Sequence, residues 1–189
     1  SVPRNDYFML YGKLTEKFFE LFCNTWRYRT PYMPPDEIRL KLKTIYDGVL
    51  AGSVVNWGAP FVESTQEDIF NQSFADVCTV METQSQNYFL NTRSEVSVEI
   101  NLAGGACIKG RLDFIHADAL NPKSITIFDG KGTNNIGKNI EDYQVLFYAL
   151  LYFLHFRVLP EQLGFFYYRF NTFKPVAISL DILNEFRAK

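Results

Sequence analysis

Between Asn5 and Trp26 the apolar residues Phe8, Leu14, Phe18, Leu21 and Phe22 recur at close to helical spacing, behind Asn5 or Asp6 as a cap. "TPYMPP" interrupts that pattern, and a second helix begins on Pro35, with Asp36 and Glu37 favourable in its first turn. After a loop at "NWGAP", Ser64 and Glu67 form a capping box that opens a third helix reaching about Phe89. The period then changes. "SEVSVEINL" alternates, with Val96, Val98, Ile100 and Leu102 on one side, which predicts a strand. "AGG" turns the chain, and "CIKGRLDFIHA" and "SITIFDGK" are two further strands joined through a turn at Leu120–Lys123. "NIEDYQVLFYALLYFLHF" reads as a helix, "LGFFYYRF" as a last strand and "LDILNEFRAK" as the start of a closing helix. The order α-α-α-β-β-β-α-β-α predicts one α/β domain over residues 1–189, with a central mixed sheet flanked by helices. Its helical part spans about residues 1–90 and its sheet-containing core about 91–189.

Composition narrows the classes. With 47% hydrophobic and 16% aromatic residues, the 189-residue chain is too rich in large apolar side chains to be disordered. No apolar run reaches the ~18 residues of a membrane span, because His155 and Arg157 break the longest one. "SVPRNDYF" has no apolar leader region, so an intracellular protein is expected, cytoplasmic or in the host cytoplasm if viral. The end at "EFRAK" suits a piece of a larger protein or complex, and the oligomeric state is left open. Cys23, Cys78 and Cys107 are too widely spaced for a zinc site or disulfide framework and read as free thiols, mostly in the core. The net charge of −2 carries no global sign of a nucleic-acid partner. Its distribution is uneven: residues 44–107 hold Arg93 against eight acids, whereas residues 1–43 hold eight basic residues against five acidic. A basic bias at both ends suits phosphates if the fold gathers it on one face.

The candidate chemistry lies at strand ends. Asp113 sits in "KGRLDFI" and Asp129 in "IFDGKG", with Lys131 two residues on and therefore on the same side of its strand. Taken alone, Asp-x-Lys is a surface ion pair worth well under about 1 kcal/mol. Gly110 and Gly130 open the backbone around these acids to a ligand. Gln144 and Tyr148 share a helix face four residues apart, as do Gly12, Glu16 and Glu20 on the first helix. His116, three beyond Asp113, points to the other sheet face or into the turn, and no Ser/His/Asp or Cys/His arrangement is evident.

In that order, "GRLD" (Gly110–Asp113), "FDGK" (Phe128–Lys131) and "QVLFY" (Gln144–Tyr148) resemble the PD-(D/E)xK nuclease superfamily, in its RecB-like, CRISPR-associated exonuclease branch. "GKLTEKFFE" is similar to that branch's first motif, with Gly12 and Glu20 retained and Glu16 where the family has His. The resemblance covers about residues 8–170. It implies a restriction-endonuclease-like core and a metal-dependent DNA nuclease, an exonuclease by branch, acting on DNA ends or single strands in recombination, repair or replication. By the same resemblance Asp113, Asp129, the carbonyl of Gly130 and Glu16 would hold Mg²⁺ or Mn²⁺, with Glu20 a further candidate. Lys131 would orient the attacking water or meet the developing charge, and Gln144 and Tyr148 would position the strand or the lysine. Glu at position 16 is a competent oxygen ligand for a hard cation. Two other readings of it stay open: a solvated helix face shared with Glu20, and a mark of lost activity, which would make the chain a DNA-binding or assembly module with an inactive nuclease-like fold. With no cysteine beyond Cys107, the branch's iron–sulfur cluster is not expected. Tyr28, Tyr32 and Trp57, beside Arg27 and Arg29, are candidates for stacking on bases. An unrelated α/β protein with a chance Asp-x-Lys is the remaining alternative.

Overall fold

The computed structural model describes residues 7–28, 32–52, 63–84, 88, 91–132, 136 and 142–189. The Asn5 or Asp6 cap, Arg29, the loop holding Trp57, Phe89 and the side chains of Phe8 and Ser64 lie outside the described residues. Two compact units are present. One comprises the described residues of Ser1–Leu90, Lys131–Ile136 and Tyr167–Thr172, and the other those of Asn91–Gly130, Gly137–Phe166 and Phe173–Lys189.

The first unit is helical. Helix α1 (Tyr7–Asn24) buries Leu10, Tyr11, Leu14, Phe18 and Phe22, a three- and four-residue spacing that keeps one stripe inward. It ends before Trp26, which starts a 3-10 turn (Trp26–Tyr28) and sets its ring 5.4 Å from that of Phe18. Helix α2 (Pro35–Gly52) begins on Pro35, as the sequence predicts, and buries Ile38, Leu42, Ile45 and Tyr46. Helix α3 (Glu63–Thr83) buries Ile69, Val77, Val80 and Met81 and stops short of the predicted Phe89. Each of the three packs on the other two. Among their apolar contacts lies a polar one: Asp76 accepts from the Tyr11 hydroxyl at 2.6 Å and from Gln72 Nε2 at 2.9 Å, with Arg169 Nη1 3.7 Å away.

The second unit holds the sheet, whose strand order is β1-β2-β3-β4-β5. Strands β1 (Thr92–Asn101), β2 (Cys107–Ala117) and β3 (Ile125–Lys131) form an antiparallel meander. The β1–β2 turn runs through Gly104 and Gly105 at φ +90° and +85°, a conformation that glycine adopts without a Cβ penalty. Strand β4 (Gln162–Tyr167) starts beside the start of β3, since the Glu161 N–H donates to the Ile125 carbonyl at 2.8 Å. The two strands therefore run parallel and the sheet is mixed. Between them lies helix α4 (Tyr143–Phe156), a right length for the crossover, packed on β1 and β2. Helix α5 (Leu180–Arg187), capped by the Ser179 hydroxyl on the Ile182 N–H at 3.1 Å, packs on α4.

One strand escapes the sequence pattern. "LGFFYYRF" predicts a single strand to Phe170, but β4 ends at Tyr167 in a 3-10 turn (Tyr168–Phe170). Asn171, at φ 46°, then reverses the chain into β5 (Thr172–Pro175). Asparagine tolerates this left-handed turn, and Pro175 suits an edge strand. The architecture is α/β, a five-stranded mixed sheet flanked by helices with a helical N-terminal region. Among the described residues, no helix is long and apolar enough to cross a membrane.

Candidate active site

In the sheet unit two carboxylates face each other across neighbouring strands, Asp129 two residues before the end of β3 and Asp113 inside β2 and not, as the sequence pattern suggests, at its end. The β2–β3 register pairs Phe114 with Phe128 and Ile115 with Ile127, and one further step sets Asp113 across from Asp129. Both are nearly buried, at 6% and 5% exposure. The strands are locked just behind them by the stacked rings of Phe114 and Phe128, with centroids 4.9 Å apart. Asp113 Oδ2 accepts the backbone N–H of Gly130 at 2.8 Å, and the Asp113 carbonyl accepts the Ser94 hydroxyl at 2.9 Å. One residue thus ties β1, β2 and β3 together at the acids.

Helix α4 supplies the opposite wall. It buries Val145, Ala149, Leu151 and Tyr152, which turns Gln144 and Tyr148, one helical turn apart, toward the acids. Gln144 Nε2 donates to the Tyr148 hydroxyl at 3.1 Å and, at a longer 3.4 Å, to Asp129 Oδ1. Burial pushes the Tyr148 phenol up to about 12; the bond from Gln144 opposes the rise, and the charges of Asp129, Asp113 and Glu95 add to it. Tyr148 is thus a neutral hydroxyl at physiological pH, able to donate or accept but not to serve as a base.

Glu95, which the sequence pattern places simply among the polar positions of β1, belongs to the same group. A carboxylate oxygen of Glu95 lies within 4.8 Å of one on Asp113, and Glu95 Oε2 accepts from Arg111 Nε at 2.6 Å. The β1–β2 register pairs Ser94 with Phe114 and Val96 with Leu112, which leaves Glu95 across from Asp113. It sits there at φ 55°, a left-handed conformation in mid-strand that costs a non-glycine residue about 1–3 kcal/mol. Its partner could be found only once the strand register is known, and no pattern of residue types announces such a backbone angle.

Gly110 has a role other than the one expected of it. A Cβ there would strike the Leu151 side chain and stand 3.5 Å from the Phe147 ring, so the glycine seats α4 on β2 and does not open the backbone to a ligand. Gly130 does come close to a functional group, through the N–H that it gives Asp113. Lys131 ends β3 half-exposed, and its neighbour Gly132 packs against α1. Glu16 and Glu20 are half-buried on α1 in the helical unit, where Glu20 pairs with Lys17 at 3.1 Å. His116 bonds the Thr92 hydroxyl at 2.9 Å as a buried structural residue. Tyr28 and Tyr32 are 69% and 68% exposed, as stacking on a base requires.

The donor set suits a hard cation: two nearly buried aspartates and a half-buried glutamate present only oxygen. Anions desolvated side by side are costly unless hydrogen-bonded, neutralised or turned to a metal. Such a set, with a neutral phenol and an amide beside it, can bind a divalent ion and orient a polar substrate group. No protein-family model and no curated protein matches this chain.

Proposed function

We propose that the chain is a metal-dependent deoxyribonuclease that hydrolyses phosphodiester bonds. The observation that supports this most is the convergence of Asp113, Asp129, Gly130, Gln144 and Tyr148 in one hydrogen-bonded group on two adjacent strands and one helix face. All five are among the residues that the resemblance to the PD-(D/E)xK nucleases names, beside Lys131 and Glu16. A surface ion pair would explain Asp129 and Lys131, but it would not explain two buried carboxylates with a glutamine bonded to one of them.

In this reading Asp113 and Asp129 would hold Mg²⁺ or Mn²⁺, with Glu95 contributing from β1 and the Gly130 carbonyl as a neutral oxygen donor. Glu16 is the further oxygen ligand that the resemblance implies. The bound ion would supply charge neutralisation at the phosphate and a more acidic water. The chain's own residues do the rest. The Gly130 N–H fixes the Asp113 carboxylate, and Gln144 holds Asp129 and Tyr148 in one orientation. The Tyr148 hydroxyl is a donor for a phosphate oxygen. Lys131 supplies a positive charge for the pentavalent transition state, where a preorganised donor is worth about 10²–10³ in rate.

The test is direct. End-labelled single- and double-stranded DNA is incubated with the protein in Mg²⁺, Mn²⁺ or EDTA, beside Asp113→Ala and Lys131→Ala. Cleavage that needs the metal, disappears in Asp113→Ala and falls by about 10²–10³ in Lys131→Ala is the expected result. Absent cleavage, or cleavage that survives both substitutions, overturns the catalytic assignment, and DNA binding without cleavage points to the non-catalytic module.

A further inference from the structure

The two halves of the Asp-x-Lys sequence have different supports. Asp129 and Gly130 belong to the sheet unit, where Gln144 and Asp113 hold them, whereas Lys131 and Gly132 belong to the helical unit. There Gly132 lies on the backbone of α1. A Cβ built on Gly132 would stand 2.5 Å from Gly12 Cα, 3.0 Å from Gly12 N and 3.4 Å from the Tyr11 ring. The first of these distances is impossible for a real side chain, and the atom in the way is main chain, which cannot rotate aside. The crossing is one-sided, because a Cβ on Gly12 would stand an ordinary 3.6 Å from Gly132 Cα.

The surface under Gly132 is buried and braced by hydrogen bonds. Tyr11 is 1% exposed and its hydroxyl is fastened to Asp76 of α3 at 2.6 Å. One turn on, the Thr15 hydroxyl bonds the carbonyls of Tyr11 and Gly12 at 2.9 and 3.2 Å. We infer that Gly132 is a positioning residue for Lys131: its backbone contact with Gly12 pins the chain directly after the lysine to α1 and so sets where the ammonium group sits. This goes beyond the nuclease reading and rests on it only for the lysine's chemical task. The pinning itself is a property of the fold.

The experiment therefore has an arm that needs no activity. Lysine acetylation is followed by mass spectrometry on wild type, Gly132→Ala and Gly12→Val, each checked for folding by circular dichroism. Gly12→Val presses on the same crossing from the α1 side and takes over if Gly132→Ala does not fold. The expected result is a severalfold change in Lys131 reactivity, with Lys13 and Lys17 of α1 as in wild type. Unchanged Lys131 reactivity in a folded variant overturns the inference. In the second arm, Gly132→Ala lowers kcat with little change in KM and has no further effect in a Lys131→Ala background. An equal loss in both backgrounds means that the glycine acts on the fold at large and also overturns the inference. If wild type does not cleave DNA at all, the nuclease reading falls and lysine reactivity alone decides the positioning.

Discussion

The backbone N–H of Gly130 donates to Oδ2 of Asp113 at 2.8 Å, so an acid on one strand is aimed by the main chain of the next. This bond separates the structural part of Asp113 from its chemical part. Asp113→Asn keeps an acceptor for the Gly130 N–H and is expected to unfold in urea close to wild type. Asp113→Ala leaves that part-buried donor without its acceptor and is expected to cost about 1–3 kcal/mol. Both variants lose the charge, so calorimetric Mn²⁺ binding should vanish in each. Equal stability of the alanine variant and wild type would show that the bond does not hold the strand end.

Tyr148 is expected to stay protonated through the ordinary tyrosine value of 10.0, since burial and three carboxylates push its phenol to about 12. The tyrosinate absorbance that disappears in Tyr148→Phe should then develop only at the alkaline extreme. Gln144→Ala moves the transition higher still, because the bond from Gln144 is what lowers it. A Tyr148 component that titrates near 10.0 in the difference spectrum would remove the phenol from the shielded, acidic environment described above.

Gly110 tests the seating of α4. In Gly110→Ala the new methyl meets the Leu151 side chain, which has to leave its rotamer or push the helix off β2. Overpacking of this kind costs about 1–3 kcal/mol. Because the obstacle is a side chain, the loss should be largely recovered in Gly110→Ala/Leu151→Ala relative to the two single changes added together. Chemical denaturation of the four proteins measures the coupling, and strict additivity would mean that the two positions do not touch.

How much of this was legible in the sequence depends on the range of the physics involved. The inward stripe of α1 and the alternation of β1 are local periodicities, so the residues themselves announce them. The facing of Asp113 and Asp129 also follows from local rules, because a short turn at Leu120–Lys123 sets the register and a period of two does the rest. Gln144 and Tyr148 share a face at any i, i+4 spacing. What the sequence did not announce depends on partners far along the chain or on an unusual backbone angle. Gly110 looks like room for a ligand until Leu151 is found in that room. Glu95 looks like an outward polar residue until its φ of 55° is seen. "LGFFYYRF" alternates poorly, and only the left-handed Asn171 shows where its strand has to stop.

Tyr11 and Asp76 lie 65 positions apart, and neither stands out by type, yet they form a buried hydrogen bond of 2.6 Å. Burial raises the Asp76 carboxyl above its ordinary 3.8, while the bonds from Tyr11 and Gln72 and the charge of Arg169 pull it back. An acid raised on folding is held against ionisation. Its penalty is absent below 3.8, sets in as pH rises through the window between 3.8 and the raised value, and is complete above that window. Tyr11→Phe removes the strongest counterweight, so the raised value moves higher and the penalty grows. The variant is therefore expected to lose about 1.5–3 kcal/mol at neutral pH, the range for a hydrogen bond to a charged group, and distinctly less near pH 3.8, where the carboxyl is increasingly protonated. Urea unfolding of wild type and Tyr11→Phe at the two pH values measures the difference directly. A loss that is the same at both, or larger in acid, would mean that Asp76 is not ionised against Tyr11 in the folded chain, and that the bond between α1 and α3 joins two neutral groups.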